Sequence, residues 1–418
     1  MAEEGIIICD LDFNQDVFTA RKCSTIMNLV ESLRDTTDNK EKKRWIGSLW
    51  DEFHKQNLFQ LPIFYGSREL KAQLLQFVET LEDLPNRSAG SGGSWCLYGT
   101  RGVGKSTLLR MMFALCSLLY PEIRVSLHSF EGKCFTANEN FQFSDLFMTK
   151  GKSSRSHQDM PDNDHLDKAF SDLAIAETLS KCDVVLIDEI TVMYDMSEHN
   201  EQIRECAKRF VNDLLIFAKK PSAHAIITGS SASIRDMAFN KNGQGGKKWR
   251  QMGFPDLNDS VFCPVTLPPI RDLKKFASFL KLVKPKLVDS EKMNEEEVIM
   301  NAYRATGGIG RHVMSYHKSQ FQIPNQQNLL TEMENCYFRR LMSYFTLKHS
   351  LSSSQNPVIS VSVSEVFSDE ITKAMIVSQY LNSWQDKGLI YRNGTKIELL
   401  IPGHIDEIKD IFSEGLNC

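Results

Sequence analysis

The chain of 418 residues lacks long apolar runs, a charge excess of either sign, and paired cysteine spacings. No uninterrupted apolar stretch approaches the roughly 20 residues of a membrane helix, so no membrane partner is expected. The run Ile6 to Cys9 ends at Asp10, too soon for the core of a secretory leader. The ten cysteines include no C-x-x-C pair and no zinc-ligand spacing. Several (Cys96, Cys116, Cys182) sit in apolar runs and read as reduced core thiols, which places the protein inside a cell, in cytoplasm or nucleus. A formal net charge of -4 excludes a surface coated in Lys and Arg, so any nucleic-acid contact needs a local patch. No internal repeat is visible.

What is present is size and alternation. With 42% hydrophobic residues the chain can bury more than one core. The stretch to about Asn57 mixes short apolar runs with the charged segment Lys40 to Arg44, followed by Trp45 and Trp50, and carries no motif. Leu70, Leu74, Leu75, Val78 and Leu81 then recur at helical spacing, before a Gly/Ser-rich break at Pro85 to Ser94. Beyond it, apolar strand-like runs (Trp95 to Tyr98, Val125 to Phe130, Val184 to Ile187, Ala225 to Thr228, Val261 to Leu267) alternate with helical patterns (Lys105 to Leu119, Asp167 to Lys181, Gln202 to Lys219). That alternation predicts a parallel sheet flanked by helices. Thr149 to His165 and Asn240 to Asp259 read as surface loops. After Pro269 helices take over, at Asp272 to Leu282, Glu295 to Ala305 and Leu329 to Phe345. A helix-like stretch near Ser368 to Trp384 and a hairpin signal at Asn393-Gly394 then suggest a winged helix.

Gly99-Thr-Arg-Gly-Val-Gly-Lys-Ser106 satisfies G-x-x-x-x-G-K-[ST], directly after an expected strand and at the start of an expected helix. Glycines let such a loop fold around phosphates, and exposed N–H groups with the helix N-terminus supply positive potential. Gly99, Thr100, Arg101, Gly102, Val103, Gly104, Lys105, Ser106 and Thr107 are therefore the expected nucleotide contacts. Lys105 would reach the β/γ-phosphates, and Ser106 would offer its hydroxyl to Mg²⁺. Val184-Val-Leu-Ile-Asp188-Glu189 is an apolar strand ending in two carboxylates, the Walker B pattern. Asp188 would hold Mg²⁺ and Glu189 would polarise the attacking water. The guanine-reading N-K-x-D is missing, because Asn240-Lys-Asn-Gly243 ends without the Asp, so the expected nucleotide is ATP. A P-loop small-molecule kinase is the alternative enzyme, though one usually shorter and without the C-terminal extension.

The run Ala225-Ile-Ile-Thr-Gly-Ser-Ser231 places hydroxyls at a strand end, making Thr228 or Ser230 a candidate γ-phosphate sensor; capping of a following helix is the other reading. In Thr306-Gly-Gly-Ile-Gly-Arg311, Arg311 at a helix start could sense the γ-phosphate, or be a solvated residue of a capped turn. Arg235 and the basic loop Lys241, Lys247, Lys248, Arg250 could serve a neighbouring subunit or nucleic acid, against the plainer reading of a solvated loop.

These pieces in this order resemble the AAA+/STAND branch of P-loop ATPases: a Phe64-Tyr-Gly-Ser-Arg-Glu69 entry segment, Walker A, Walker B, a hydroxyl-tipped strand, Leu267 to Pro269, and a helical lid with Gly-Gly-x-x-Arg. Within it, Tyr98 to Ser106 and Thr306 to Val313 look most like the NTPase module of Crinkler and retrotransposon-hot-spot proteins. Gly310 stands where many such turns carry Pro. The nuclease often joined to such modules is not expected here, because no carboxylate–Lys cluster of that kind is seen. The resemblance implies an α/β P-loop NTPase with a parallel sheet, followed by a helical lid and a winged-helix-like C-terminal domain. Its expected divisions are 1–58, 59–269, 270–350 and 351–418. The expected activity is Mg²⁺-dependent ATP hydrolysis in a nucleotide-dependent switch or motor. The alternatives are a nucleotide-stabilised DNA/RNA-binding module and a scaffold that holds ATP without turnover. Self-association and nucleic acid are the partners left open.

Overall fold

The structure, a computed structural model, describes residues 7–9, 13–61, 68–84, 93–129, 179, 181–191, 201–229, 249–255, 257, 261–288, 294–316, 324–351, 358–376, 380–393, 395–406 and 408. Six parallel strands form the main sheet: β1 (Ile7–Cys9), β2 (Ser94–Tyr98), β3 (Val125–Ser129), β4 (Val184–Asp188), β5 (His224–Thr228) and β6 (Phe262–Thr266), in the order β1-β3-β4-β5-β2-β6. Pro264 lies in β6, at one edge, where a missing ladder N–H is tolerated.

The central strands are apolar on both faces because both faces are covered. Residues two apart sort cleanly: Trp95, Leu97, Val184, Leu186 and Ile226 join one core, while Cys96, Tyr98, Val185, Ile187 and Ile227 join the other. On the second face lies the helix Glu201–Ala218, whose Phe210, Val211, Leu214 and Phe217 are buried. The first face is built by the stretch that carries no motif. Helices α1 (Asn14–Lys22), α2 (Ser24–Asp35) and α3 (Asn39–Lys55) pack with α4 (Arg68–Asp83) and α5 (Lys105–Leu119) around Phe13, Trp50, Phe53, Phe59 and Phe113. Arg21 and Arg34 donate to the carbonyls of Ser117 (3.1 Å) and Leu119 (2.8 Å), placing cations at the negative end of α5. Ile7–Cys9 extends the sheet beside β3.

After β6 come the helices Leu273–Val283, Pro285–Val288, Glu295–Thr306 and Gly310–Ser315. The single helix expected over Leu329 to Phe345 is two, Gln326–Glu332 and Cys336–Leu351. Asn335 interrupts it, its side-chain oxygen accepting from the backbone N–H of Tyr337 (2.9 Å) and Phe338 (3.3 Å) and capping the second helix. A three-stranded antiparallel sheet closes the chain, in the order β7 (Ser360–Ser362), β9 (Lys396–Leu399), β8 (Ile390–Asn393), with the short helices Val363–Val366, Glu370–Ile376 and Asn382–Asp386 between β7 and β8. The hairpin ladder runs one residue further than Asn393-Gly394 implies, since Asn393 pairs with Lys396; Gly394 lies outside the described residues.

His404 is fully buried in this unit, its Nε2–H donating to the carbonyl of Pro324 (2.9 Å). Burial pushes its pKa down to about 4. It is therefore neutral when folded, whereas the unfolded chain takes up its proton near an ordinary pKa of about 6.5. Above that value His404 costs nothing; as pH falls through the window down to about 4 the unfolded state gains a proton that the folded state does not. Stability should thus fall on acidification, by about 2 kcal/mol at about pH 5 from this group. Melting the His404→Gln variant across that range should give a flatter acid limb; an unchanged limb would move the effect to other groups.

The buried thiols of Cys96, Cys116 and Cys182 are all pushed up by burial, which suppresses thiolate chemistry. Among the described residues no helix is long and apolar enough to cross a membrane, and no cluster of three or more His, Cys, Asp or Glu could hold a metal ion.

Candidate nucleotide site

The loop after β2 turns directly into α5, as the Gly-rich motif requires. Gly104 is the N-cap residue of α5 and Lys105 its first residue. Lys105 is buried, and its ammonium donates to the carbonyls of Gly99 (2.8 Å) and Thr100 (3.4 Å). Burial lowers its pKa, while Glu189 and Asp188 pull it the other way. The loop thus encloses a cation facing two carboxylates. The buried Thr100 Oγ1 has no hydrogen-bond partner, and Ser106, partly exposed in the first turn, has no side-chain hydrogen bond among the described residues. A buried ammonium, an orphan hydroxyl and a helix N-terminus in one loop fit a phosphate-bearing anion.

The strand order brings the second half of the site into place. β5 lies between β2 and β4, so its end stands beside both the loop and the two carboxylates. The hydroxyl of Thr228 donates to Asp188 Oδ1 (2.6 Å), and its oxygen accepts from the N–H of Glu189 (3.1 Å). The one proton of Thr228 is therefore committed to Asp188, and the residue clamps the turn after β4. Glu189 itself has φ 55°, a left-handed conformation unusual for a non-glycine residue. Thr191, only two residues on, reaches back to Glu189 Oε2 (3.4 Å). Sequence reasoning passed over Thr191; the signal was a hydroxyl two positions after the acidic pair.

Arg311 arrives from the helical region. Its backbone N–H donates to the carbonyl of Gly102 (3.2 Å). Gly102 has φ 88°, and a Cβ there would sit 2.8 Å from Cβ of Arg311, so this glycine permits the close approach. The exposed Arg311 side chain and Arg101 both lie near enough to lower the pKa of Lys105. On its other side the same turn meets the C-terminal sheet. Ile309 packs with Tyr391, Leu400 and Ile401, and the place of a Cβ on Gly307 is occupied by the carbonyl of Leu400 at 2.0 Å. Close by, Arg271 Nε lies 3.1 Å from Glu398 Oε2, a contact of charges rather than an aligned hydrogen bond.

Of the sequence candidates, the structure brings together the loop 99–107, Asp188, Glu189, Thr228 and Arg311. Ser230, Arg235, Lys241, Lys247 and Lys248, most of the helix expected at Asp167 to Lys181, and the entry segment before Arg68 lie outside the described residues; Arg250 is exposed.

None of the curated proteins compared matches the chain. Among solved structures it is similar to domain III of the replication initiation protein DnaA from Thermotoga maritima (15% identity, covering 65% of this chain and 87% of that one, TM-score 0.35). It is also similar to a Walker-type ATPase of Pyrococcus abyssi (16% identity, 82% and 95% covered, TM-score 0.39) and to the ORC2 protein of Aeropyrum pernix (13%, 83% and 93%, TM-score 0.37). Residues 95–240, which hold the loop, both carboxylates and Thr228, match the model of the ATPase family associated with various cellular activities (AAA).

Proposed function

We propose that the protein is an intracellular, Mg²⁺-dependent ATPase that works as a nucleotide-dependent switch or motor of the AAA+/STAND kind. The observation that carries this reading is the turn Gly307 to Arg311, seated between the phosphate loop and the C-terminal sheet. Whatever phosphates do to the backbone at Gly102 must be felt by that turn, and through it by Leu400 and Ile401.

In this reading residues 99–107 cradle the phosphates and Lys105 turns from its own carbonyls to the β/γ-phosphates. Ser106 and Asp188 would hold Mg²⁺, which would supply charge to offset that developing on the phosphates. Glu189 takes the proton of the attacking water, Thr228 holds the Asp188 carboxylate and the backbone N–H of Glu189, and Arg311 reports the γ-phosphate. The division 1–58, 59–269, 270–350 and 351–418 separates an N-terminal segment, the core, a helical lid and a winged-helix-like domain. For the last, a strand, short helices and a two-stranded hairpin follow one another as a winged helix requires. The finer kinship proposed is with the Crinkler and retrotransposon-hot-spot module, on the residues Tyr98 to Ser106 and Thr306 to Val313.

ATP hydrolysis with Mg²⁺, measured on the purified chain with Lys105→Ala beside it, tests the reading. The variant should lose nucleotide binding and turnover together. Equal turnover in the variant would remove the loop from the chemistry. A second reading, a DNA or RNA module using the winged helix and the 241–250 loop, predicts salt-sensitive binding lost on neutralising Lys247, Lys248 and Arg250.

A further inference from the structure

On the side of the molecule formed by α3 and α4, a cleft of about 450 Å³ is lined by Lys40, Lys43, Arg44 and Lys71, with Asp51 the one carboxylate among its described lining residues. Four cations against one acid is a local excess in a chain whose formal net charge is -4. Lys40, Lys43 and Arg44 have no carboxylate within ion-pair distance among the described residues. Lys42, on the same helix but turned away from the cleft, is buried and paired with Glu82 at 2.9 Å.

Two features of α3 run against helix stability. Lys40 and Lys43 lie near the positive end of the helix, where cations are disfavoured. Asp38 at the N-cap and Glu41 in the first turn offset them in part, and Leu273–Val283 likewise begins with Lys274 and Lys275. The second is Gly47 inside the helix, a poor helix former. A Cβ there would lie 2.9 Å from the ammonium of Lys71, so the missing side chain is what lets Lys71 cross over α3 toward the other three cations. Both choices concentrate positive charge in one concave place.

We propose that this cleft is a second anion site, separate from the P-loop, that seats clustered phosphate groups. Its described lining is Lys, Arg, Gly, Ser and Asp, without an aromatic ring among those residues, which suits phosphates rather than bases. Such phosphates come from a free oligophosphate or from a nucleic-acid backbone. In either case α4, which packs on both α3 and the P-loop helix α5, joins the cleft to the site of Lys105.

The test uses the full chain carrying Lys105→Ala, so that the P-loop does not take the probe. Binding of sodium tripolyphosphate and of a single-stranded oligothymidylate is titrated at about 50 mM and about 200 mM salt. Lys43→Ser with Arg44→Ser, both away from any core, should weaken binding by about tenfold or more at the lower salt, and should reduce the salt dependence. Gly47→Ala should also weaken binding by displacing Lys71, yet leave the chain no less stable, opposite to what a merely structural glycine would do. Tripolyphosphate bound without the oligonucleotide supports a free oligophosphate; an oligonucleotide that competes with it supports the backbone. No binding of either probe at low salt, or binding indifferent to both substitutions, overturns the site.

Discussion

Glu189→Gln is expected to retain nucleotide and lose turnover, by about 100-fold to 10,000-fold, the range that a positioned general base contributes. The neutral amide keeps the size and reach of the carboxylate but cannot take a proton. Its neighbours leave little else for it to disturb: the N–H of residue 189 stays on Thr228 Oγ1 and Asp188 keeps its own bond from Thr228. The backbone supplies an independent check. A non-glycine residue in the left-handed region costs about 1 kcal/mol or more, and such strain persists where a side chain must point in one direction. Glu189→Gly relieves it, so that variant should be as dead as Glu189→Gln while melting no lower than the parent. A glycine variant that melts well below the parent would make the carboxylate a structural member held by Thr191, and the water-activating role would fall. Hydrolysis assays and thermal melts on the same three samples decide between them.

The parts of this molecule that were readable in advance are those governed by local rules. The P-loop sits between a strand and a helix because its glycines, its cation and the flanking periodicities all act within some 25 residues, and α5 spans Lys105–Leu119 as its apolar pattern predicts. The central strands announce themselves as short apolar runs because both of their faces are covered. The N-terminal helices were opaque for the opposite reason: they carry no motif, and their purpose emerges only when Phe13, Trp50 and Phe53 are seen closing the face made by Trp95, Leu97 and Leu186. Ile7–Cys9 could not be recognised as an edge strand, because its partner Val125–Leu127 lies more than a hundred residues away. The same limit applies to Thr228. Its composition marked it as a hydroxyl at a strand end, but only the strand order puts that hydroxyl on Asp188, forty residues distant. Asn335 is a different failure. An apolar periodicity running through it hid a capping side chain that a polar residue amid helix-forming neighbours should have suggested.

Gly307→Ala should be strongly destabilising although it lies outside the phosphate loop, and Gly310→Pro, three residues on, should be harmless. Gly307 ends the helix Glu295–Thr306 at φ 61°, where a side chain is strained whatever the space around it. There is no space either, since a Cβ would stand 2.0 Å from the carbonyl of Leu400 and 2.9 Å from its carbon. Neither obstacle is a movable side-chain tip, so the C-terminal sheet must retreat from the turn, and a loss of about 2 to 4 kcal/mol is expected from strain and lost packing around Ile309 and Ile401. Gly310, in contrast, is the first residue of its helix, and Ile309 before it already has the extended backbone (φ -83°, ψ 118°) that a following proline demands. A Cβ at 310 meets only the carbonyl of Gly102 at 3.5 Å, an ordinary contact. Proline there should raise stability by about 0.4 to 1 kcal/mol by restricting the unfolded chain. Chemical denaturation of both variants measures the contrast, and ATP turnover beside it reads what the turn transmits. If Gly307→Ala loosens the C-terminal sheet while leaving both nucleotide affinity and turnover untouched, the turn is a structural seam and the switch must run by another route. If turnover changes with the seam, the contact between Gly102 and Arg311 is the place where nucleotide state and the C-terminal sheet are coupled.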